Sequence, residues 1–268
     1  MNHLSLEEIK QISFDILLDL DRIFKKNGIR YYLACGTLLG AIRHKDFIPW
    51  DDDIDVWFHV EDYDRIVSCL SDESRYTLLD GYTDVSFPGG WLKLYDQSTV
   101  LIDRDPRGQS FRRGVNVDLF PLTCFCDGPF SKNHKRFLFY YKRLLPIFSD
   151  TLLMGQQGFK RRMITALLIV TGMSLRSIKK ELLDMQILEK HGDLISGWTD
   201  PYHVPFKKES FDEIAMMEFH HKLFPCPKGY NDVLTMLYSD NWIELPPVNQ
   251  RFSNHTVQYY SLSGRTFK

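Results

Sequence analysis

The sequence predicts an α+β domain in which a mixed sheet is flanked by helices and carries a basic helical insertion. Three observations point there. Short apolar, alternating runs (Tyr31 to Cys35, Asp53 to Phe58, Trp91 to Tyr95, Val115 to Phe120) are separated by segments of helical period. Charge is partitioned: residues 131–180 hold eleven Lys and Arg against Asp150 alone, a net of +10, while the rest of the chain carries −12. Aromatic residues and proline gather between Ile195 and Pro247. The chain is read accordingly as a core over 1–130, a basic amphipathic helical insertion over 131–190, and a C-terminal part over 191–268 that packs on the core and completes the substrate site.

The elements follow in order. Ser5-Leu6-Glu7-Glu8 fits a capping box, apolar residues from Leu4 to Phe24 recur at helical spacing, and Lys26-Asn27-Gly28 closes the helix. Tyr31 to Cys35 reads as a strand entering a helix through Gly36-Thr37-Leu38-Leu39-Gly40. Asp53 to Phe58 reads as a strand, Val60 to Leu70 as a helix and Tyr76 to Leu79 as a short strand. Trp91, Lys93 and Tyr95 share one face of the next strand. Val100 to Asp103 and Val115 to Phe120 follow, joined by a loop holding Arg104, Arg107, Arg112 and Arg113. Phe211 to Phe224 and Tyr230 to Tyr238 read as helical or mixed, with His220 and His221 as candidate proton carriers.

With 268 residues, 44% of them hydrophobic, the chain can bury a sizeable core, which excludes disorder. Five cysteines with no Cys-x-x-Cys point to a reducing compartment, and Cys124-x-Cys126 with His134 offers only half a zinc site. No secretory signal pattern or run long enough to span a bilayer is present, so a cytoplasmic protein is expected. The basic stretch from Lys132 to Lys180, interleaved with apolar residues, suits peripheral contact with an anionic membrane. No nucleic-acid motif accompanies it.

The chemistry concentrates in ACGTLLGAIRHKDFIPWDDDIDVWF, residues 34–58. Asp53 and Asp55, two apart on a strand, share a face, and paired carboxylates repel unless a divalent cation lies between them. Asp118, set among Val115, Val117, Leu119 and Phe120, is costly to bury unless it completes that site. Oxygen ligands of this kind suit Mg²⁺, with Mn²⁺ as a substitute, and such sites commonly handle nucleotides. Gly36, Thr37 and Gly40 open a helix whose backbone N–H groups suit phosphate, with Arg43 and Lys93 as charge partners. The stretch is neither a Walker A loop nor a dinucleotide turn. An EF-hand is excluded by Val56 at the sixth loop position and Asp62 at the twelfth. An Asp-x-Asp glycosyltransferase remains a competing reading.

GTLLGAIRHKDFIPWDDDID resembles the LicD family of phosphocholine transferases, relatives of the fukutin-type proteins with a nucleotidyltransferase-like fold. Asn116 to Leu122, Pro225 to Tyr230 and Tyr238 to Pro247 support the resemblance, which spans roughly Gly28 to His255. It implies transfer of phosphocholine from CDP-choline to a sugar hydroxyl of a lipid-linked or polymeric bacterial surface glycan, teichoic acid or lipopolysaccharide, with release of CMP. Asp53, Asp55 and Asp118 would be the catalytic and metal-binding residues. Trp50, Trp57 and Trp91 are the aromatic candidates for the quaternary ammonium. A different phospho-alcohol donor, or a cation-stabilised binding protein without turnover, are the alternatives.

Overall fold

The computed structural model describes residues 2–84, 87, 89–102, 114–125, 132–145, 163, 166, 169–170, 172–188, 192–197, 204–252 and 258–262. Helix α1 (Leu6–Asn27) begins at Ser5, whose hydroxyl accepts from the Glu8 N–H while the Glu8 carboxylate accepts from the Ser5 N–H. Gly28 at φ 61° ends it, a left-handed turn that glycine enters without strain. Its stripe of Ile9, Ile12, Ile16, Leu20, Ile23 and Phe24 is buried.

The main sheet is mixed. It uses β2 (Tyr31–Leu33), β3 (Ile54–His59), β4 (Tyr76–Asp80), β5 (Leu92–Asp96) and β7 (Asn116–Phe125), in the order β2-β3-β7-β5-β4. Among the described strands only β3 and β7 run parallel. The far half of β7 pairs with β8 (Leu194–Gly197), which pairs with β9 (Phe206–Lys207), so the sheet has seven strands. A separate three-stranded ribbon joins β1 (Asn2–His3), β12 (Gln258–Ser261) and β6 (Thr99–Ile102). Between the strands lie α2 (Cys35–His44) and, after a short 3₁₀ turn, α3 (Tyr63–Ser71). The core collects the α1 stripe and the alternate residues Ile54, Val56, Phe58 and Val117, Leu119 of the two parallel strands.

Residues Phe211 to Phe224, read as helical or mixed, contain no α-helix. They form a hairpin of β10 (Ile214–Phe219) and β11 (Lys222–Pro227), reversing at His220 and His221, both at positive φ (47° and 63°). Packing outweighs the local pattern: Phe219 and Phe224 reach the ring of Phe14 on α1 at 6.4 and 5.9 Å. Pro225 and Pro227 are tolerated because this ribbon has two strands only. His220 is a clamp in this arrangement, with its Nδ1 2.9 Å from the Asp46 carboxylate and its ring 4.5 Å from Phe14. The hairpin leads into a further helix, Tyr230–Tyr238.

The basic stretch is only partly a surface. Helix α4 (Lys132–Phe139) continues into a π-helical turn to Leu144, and α5 (Leu175–Leu188) packs against it through an Arg136–Glu181 ion pair of 2.5 Å. Lys160, Arg161 and Arg162 lie outside the described residues, as do the arginines of the 104–113 loop and Cys126. Lys179, expected on an outer face, is wholly buried and donates to the carbonyls of Gly81, Phe87 and Gly89. Burial pushes its ammonium down to about 8, with Asp84 and Asp80 acting the other way. No described helix is long and apolar enough to cross a membrane. Replacing Lys179 by Met should strand three carbonyls and cost about 3 kcal/mol, read as a lower urea midpoint. An unchanged midpoint would show that the loop does not depend on this clamp.

Candidate active site

The site begins with a loop that three neighbours hold. Helix α2 ends at Lys45 in a left-handed conformation, and residues 46–50 lead to the aspartates. Lys10 of α1 donates to the Pro49 carbonyl at 2.9 Å. The His220 N–H donates to the Lys45 carbonyl at 2.9 Å. Gly40 lies so close that a Cβ there would stand 2.6 Å from the Asp46 carbonyl oxygen. Its lack of a side chain thus serves the packing of helix on loop.

The loop delivers Asp51, Asp52 and Asp53, half-buried, with ligand oxygens all within 4.8 Å of one another. Strand β3 starts only at Ile54, so Asp53 precedes the strand and belongs to this cluster more than to a strand pair with Asp55. A Cβ on Gly36 would come 2.7 Å from the Asp51 carboxylate, which places that carboxylate against the first turn of α2. Thr37, buried, accepts the Asp55 N–H on its hydroxyl at 2.9 Å, and the Ala34 N–H donates to the Asp55 carbonyl at 3.0 Å. These two bonds stitch the start of α2 to the start of β3. The strand-to-helix transition is tighter than a glycine loop: the residue at positive φ is Cys35, at 44°, already the first of the helix.

Sheet register then supplies the rest. Asp55 of β3 stands opposite Asp118 of β7, and Asp118 stands opposite Lys93 of β5. The three side chains form one row across adjacent strands about 4.8 Å apart. Burial raises the Asp55 carboxyl well above the ordinary range, helped by the charges of Asp53, Asp118 and Asp51 and opposed by Lys93. Asp51, Asp52 and Asp53 could hold a metal ion.

Asp118 is the best-held member. Lys93 Nζ donates to its Oδ1 and Oδ2 at 2.6 and 2.7 Å, Asn116 Nδ2 to Oδ1 at 2.6 Å, and Trp91 Nε1 to Oδ2 at 3.2 Å. The Trp91 ring lies 5.7 Å from the Lys93 ammonium and packs on Phe87 and Phe120. Asn116 and the indole N–H of Trp91 were not foreseen as carboxylate donors. The only hint was their position, Asn116 and Asp118 two apart on one strand and Trp91 two before Lys93.

The remaining candidates fall elsewhere. Trp57 is corrected outright: it has no exposed surface and packs between Phe206 and Phe211, at 5.5 and 5.8 Å, so no ligand face is left. Arg43, half-buried, donates from one guanidinium nitrogen to the carbonyls of Trp242 and Glu244 at 3.0 and 3.1 Å. It thereby fastens the 238–251 segment to α2 and walls a cavity of about 830 Å³ with Trp50, Tyr238, Trp242 and Arg251. The Arg251 guanidinium lies 5.8 Å over the Trp50 ring, a face already used by a cation. Thus Gly36, Thr37, Asp53, Asp55, Asp118, Lys93 and Trp91 gather around the carboxylates, whereas Arg43 and Trp50 line the neighbouring cavity.

A strand leads into a helix, and an acidic cluster enters a strand whose parallel neighbour adds a further carboxylate, the arrangement expected of a nucleotidyltransferase-like domain. More particularly, residues 28–147 match the family described as LicD/FKTN/FKRP, nucleotidyltransferase domain. Similarity extends over the whole length. The chain is 29% identical over 279 aligned residues to the lipopolysaccharide cholinephosphotransferase LicD of Haemophilus influenzae, covering 98% of this chain and 100% of that protein. It is 50% identical over 40 residues to the ribitol 5-phosphate transferase FKRP of Homo sapiens and of Mus musculus, covering 15% of this chain and 8% of theirs.

Gly36→Ala tests the cluster separately from the fold. The backbone at Gly36 permits alanine, but the new methyl group must displace the Asp51 carboxylate. The variant should melt close to the parent and bind Mn²⁺ about tenfold more weakly by calorimetry. Equal affinity would remove Asp51 from the cation site.

Proposed function

We propose that the protein transfers phosphocholine from CDP-choline to a sugar hydroxyl of a lipid-linked or polymeric bacterial surface glycan and releases CMP. The observation that supports this most is the row Asp55–Asp118–Lys93 beside the Asp51–Asp53 cluster, in a chain similar along its full length to a lipopolysaccharide cholinephosphotransferase. Asp53, Asp55 and Asp118, joined by Asp51 and Asp52, would hold Mg²⁺ or Mn²⁺. When bound, such a cation offsets the charge of the donor diphosphate and of the departing nucleotide.

The chain's own groups do the rest. The N–H groups of the first turn of α2, at Gly36 and Thr37, point their positive dipole end towards the acidic cluster, where phosphate oxygens would be received. Lys93 adds a mobile positive charge. Asp118, held by Asn116 and Trp91, would accept the proton of the attacking hydroxyl. Trp91, whose N–H holds Asp118 and whose ring lies 5.7 Å from the Lys93 ammonium, is the aromatic candidate beside the carboxylates, and a trimethylammonium would take the place of that ammonium on its face. The cavity lined by Trp50 and Trp242 offers room for the nucleoside or the acceptor sugar. A lipid-linked acceptor would give the basic stretch a membrane-facing purpose at the cytoplasmic side.

The experiment is incubation with Mg²⁺ and a panel of CDP-linked donors, with nucleotide products identified by mass. CMP should accumulate from CDP-choline. Asp55→Asn and Asp118→Asn should each lower the rate about 10³-fold or more while the protein stays folded, the scale of losing a charge-stabilising group. Full activity in either variant, or after exhaustive chelation, would end the cation-dependent reading.

Donor preference is a second measurement. CDP-choline should be favoured over CDP-ethanolamine about thirtyfold, the equivalent of a desolvated cation–π contact of about 2 kcal/mol. Trp91→Leu should shrink that ratio in a competition assay. Turnover of CDP-ribitol in preference would overturn the choline assignment and leave the phosphotransfer chemistry standing.

A further inference from the structure

Asp118 has more donors than orientation requires. Asn116, two residues before it on β7, holds Oδ1, and the Trp91 indole holds Oδ2. Those neutral contacts fix the carboxylate plane. Lys93 then places its ammonium across both oxygens, at 2.6 and 2.7 Å, in a pair whose side chains are only 15% and 14% exposed. What Lys93 adds is charge, beside five carboxylates (Asp51, Asp52, Asp53, Asp55 and Asp118) that a divalent cation would also neutralise. The ammonium is a point charge on a four-carbon stem with three rotatable donors, able to leave Asp118 without moving the strand. Its next surface is the face of Trp91, 5.7 Å away.

We propose that Lys93 is a tethered counter-cation: its ammonium holds Asp118 while no divalent cation is bound and gives up that carboxylate when one arrives. The displaced ammonium is then free for the phosphate oxygens of the donor. This inference rests on the cation site proposed above. It assigns Lys93 a positioning role with a signature that a static ion pair lacks. Removing a competitor tightens cation binding, whereas removing a mere brace leaves it unchanged or weakens it.

The test uses the full-length protein without nucleotide. Mn²⁺ is titrated by calorimetry and, in parallel, by tryptophan fluorescence, with Trp91→Phe as the control that removes the reporting indole. Lys93→Met should bind Mn²⁺ about tenfold more tightly than the parent, and its metal-free form should melt lower. Lys93→Arg, which keeps the charge and adds a two-pronged grip on the carboxylate, should bind Mn²⁺ several-fold more weakly. If Lys93→Met does not fold, the arginine variant decides alone. Equal or weaker binding by Lys93→Met, or equal or tighter binding by Lys93→Arg, overturns the counter-cation while leaving the cation site intact. No Mn²⁺ binding by any of the proteins overturns both.

Discussion

The active region depends on one strand pairing, the parallel alignment of β3 with β7 that sets Asp55 beside Asp118. Slipping that register by one residue would turn Asp118 to the opposite face and bring Val117 or Leu119 into the row. The pairing is secured by burial: Ile54, Val56 and Phe58 on one strand and Val117 and Leu119 on the other share the core with α1. An apolar face therefore fixes a polar one. Since the partners lie far apart in sequence, the carboxylate row exists only once the domain has formed, and so does any cation affinity it confers.

Around that row the fold balances repulsion against constraint. Like-charged aspartates would spread apart, so the loop before them is pinned by Lys10, His220 and the bare flank of Gly40, and the strand after them by Thr37. His220 and His221 occupy left-handed backbone that asparagine and glycine adopt at lower cost. The Asp46 contact and the Phe14 and Phe47 rings hold His220 there. Strain at a turn is thus exchanged for a fixed approach to the carboxylates.

Much of this was legible in the sequence. The capping box, the Gly28 stop, and the alternation through Ile54 to Phe58 appear as read, because local geometry and burial agree there. The strands through Ile54, Leu92 and Val117 could be read from their alternation, whereas the mixed sheet they form came with the family resemblance. What could not be read were partnerships across long separations: Lys93 with Asp118, Arg43 with Trp242, Lys179 with the 81–89 carbonyls. Trp57 and Lys179 were misplaced for one reason. An aromatic or a basic side chain announces what it can bind, but sequence does not say whether the protein itself has already occupied it.

Lys179 also bears on how this chain can be divided. Helix α5 begins within the basic stretch, and its Lys179 ties down the carbonyls of Gly81, Phe87 and Gly89, a few residues before Trp91 and Lys93. The helix that carries Lys179 is therefore tied to the sheet it packs beside. A chimaera that exchanged this region for that of a relative, in order to swap acceptors, would need a buried cation at the same place, or it would slacken the strand that carries Lys93 and disturb the chemistry it meant to keep.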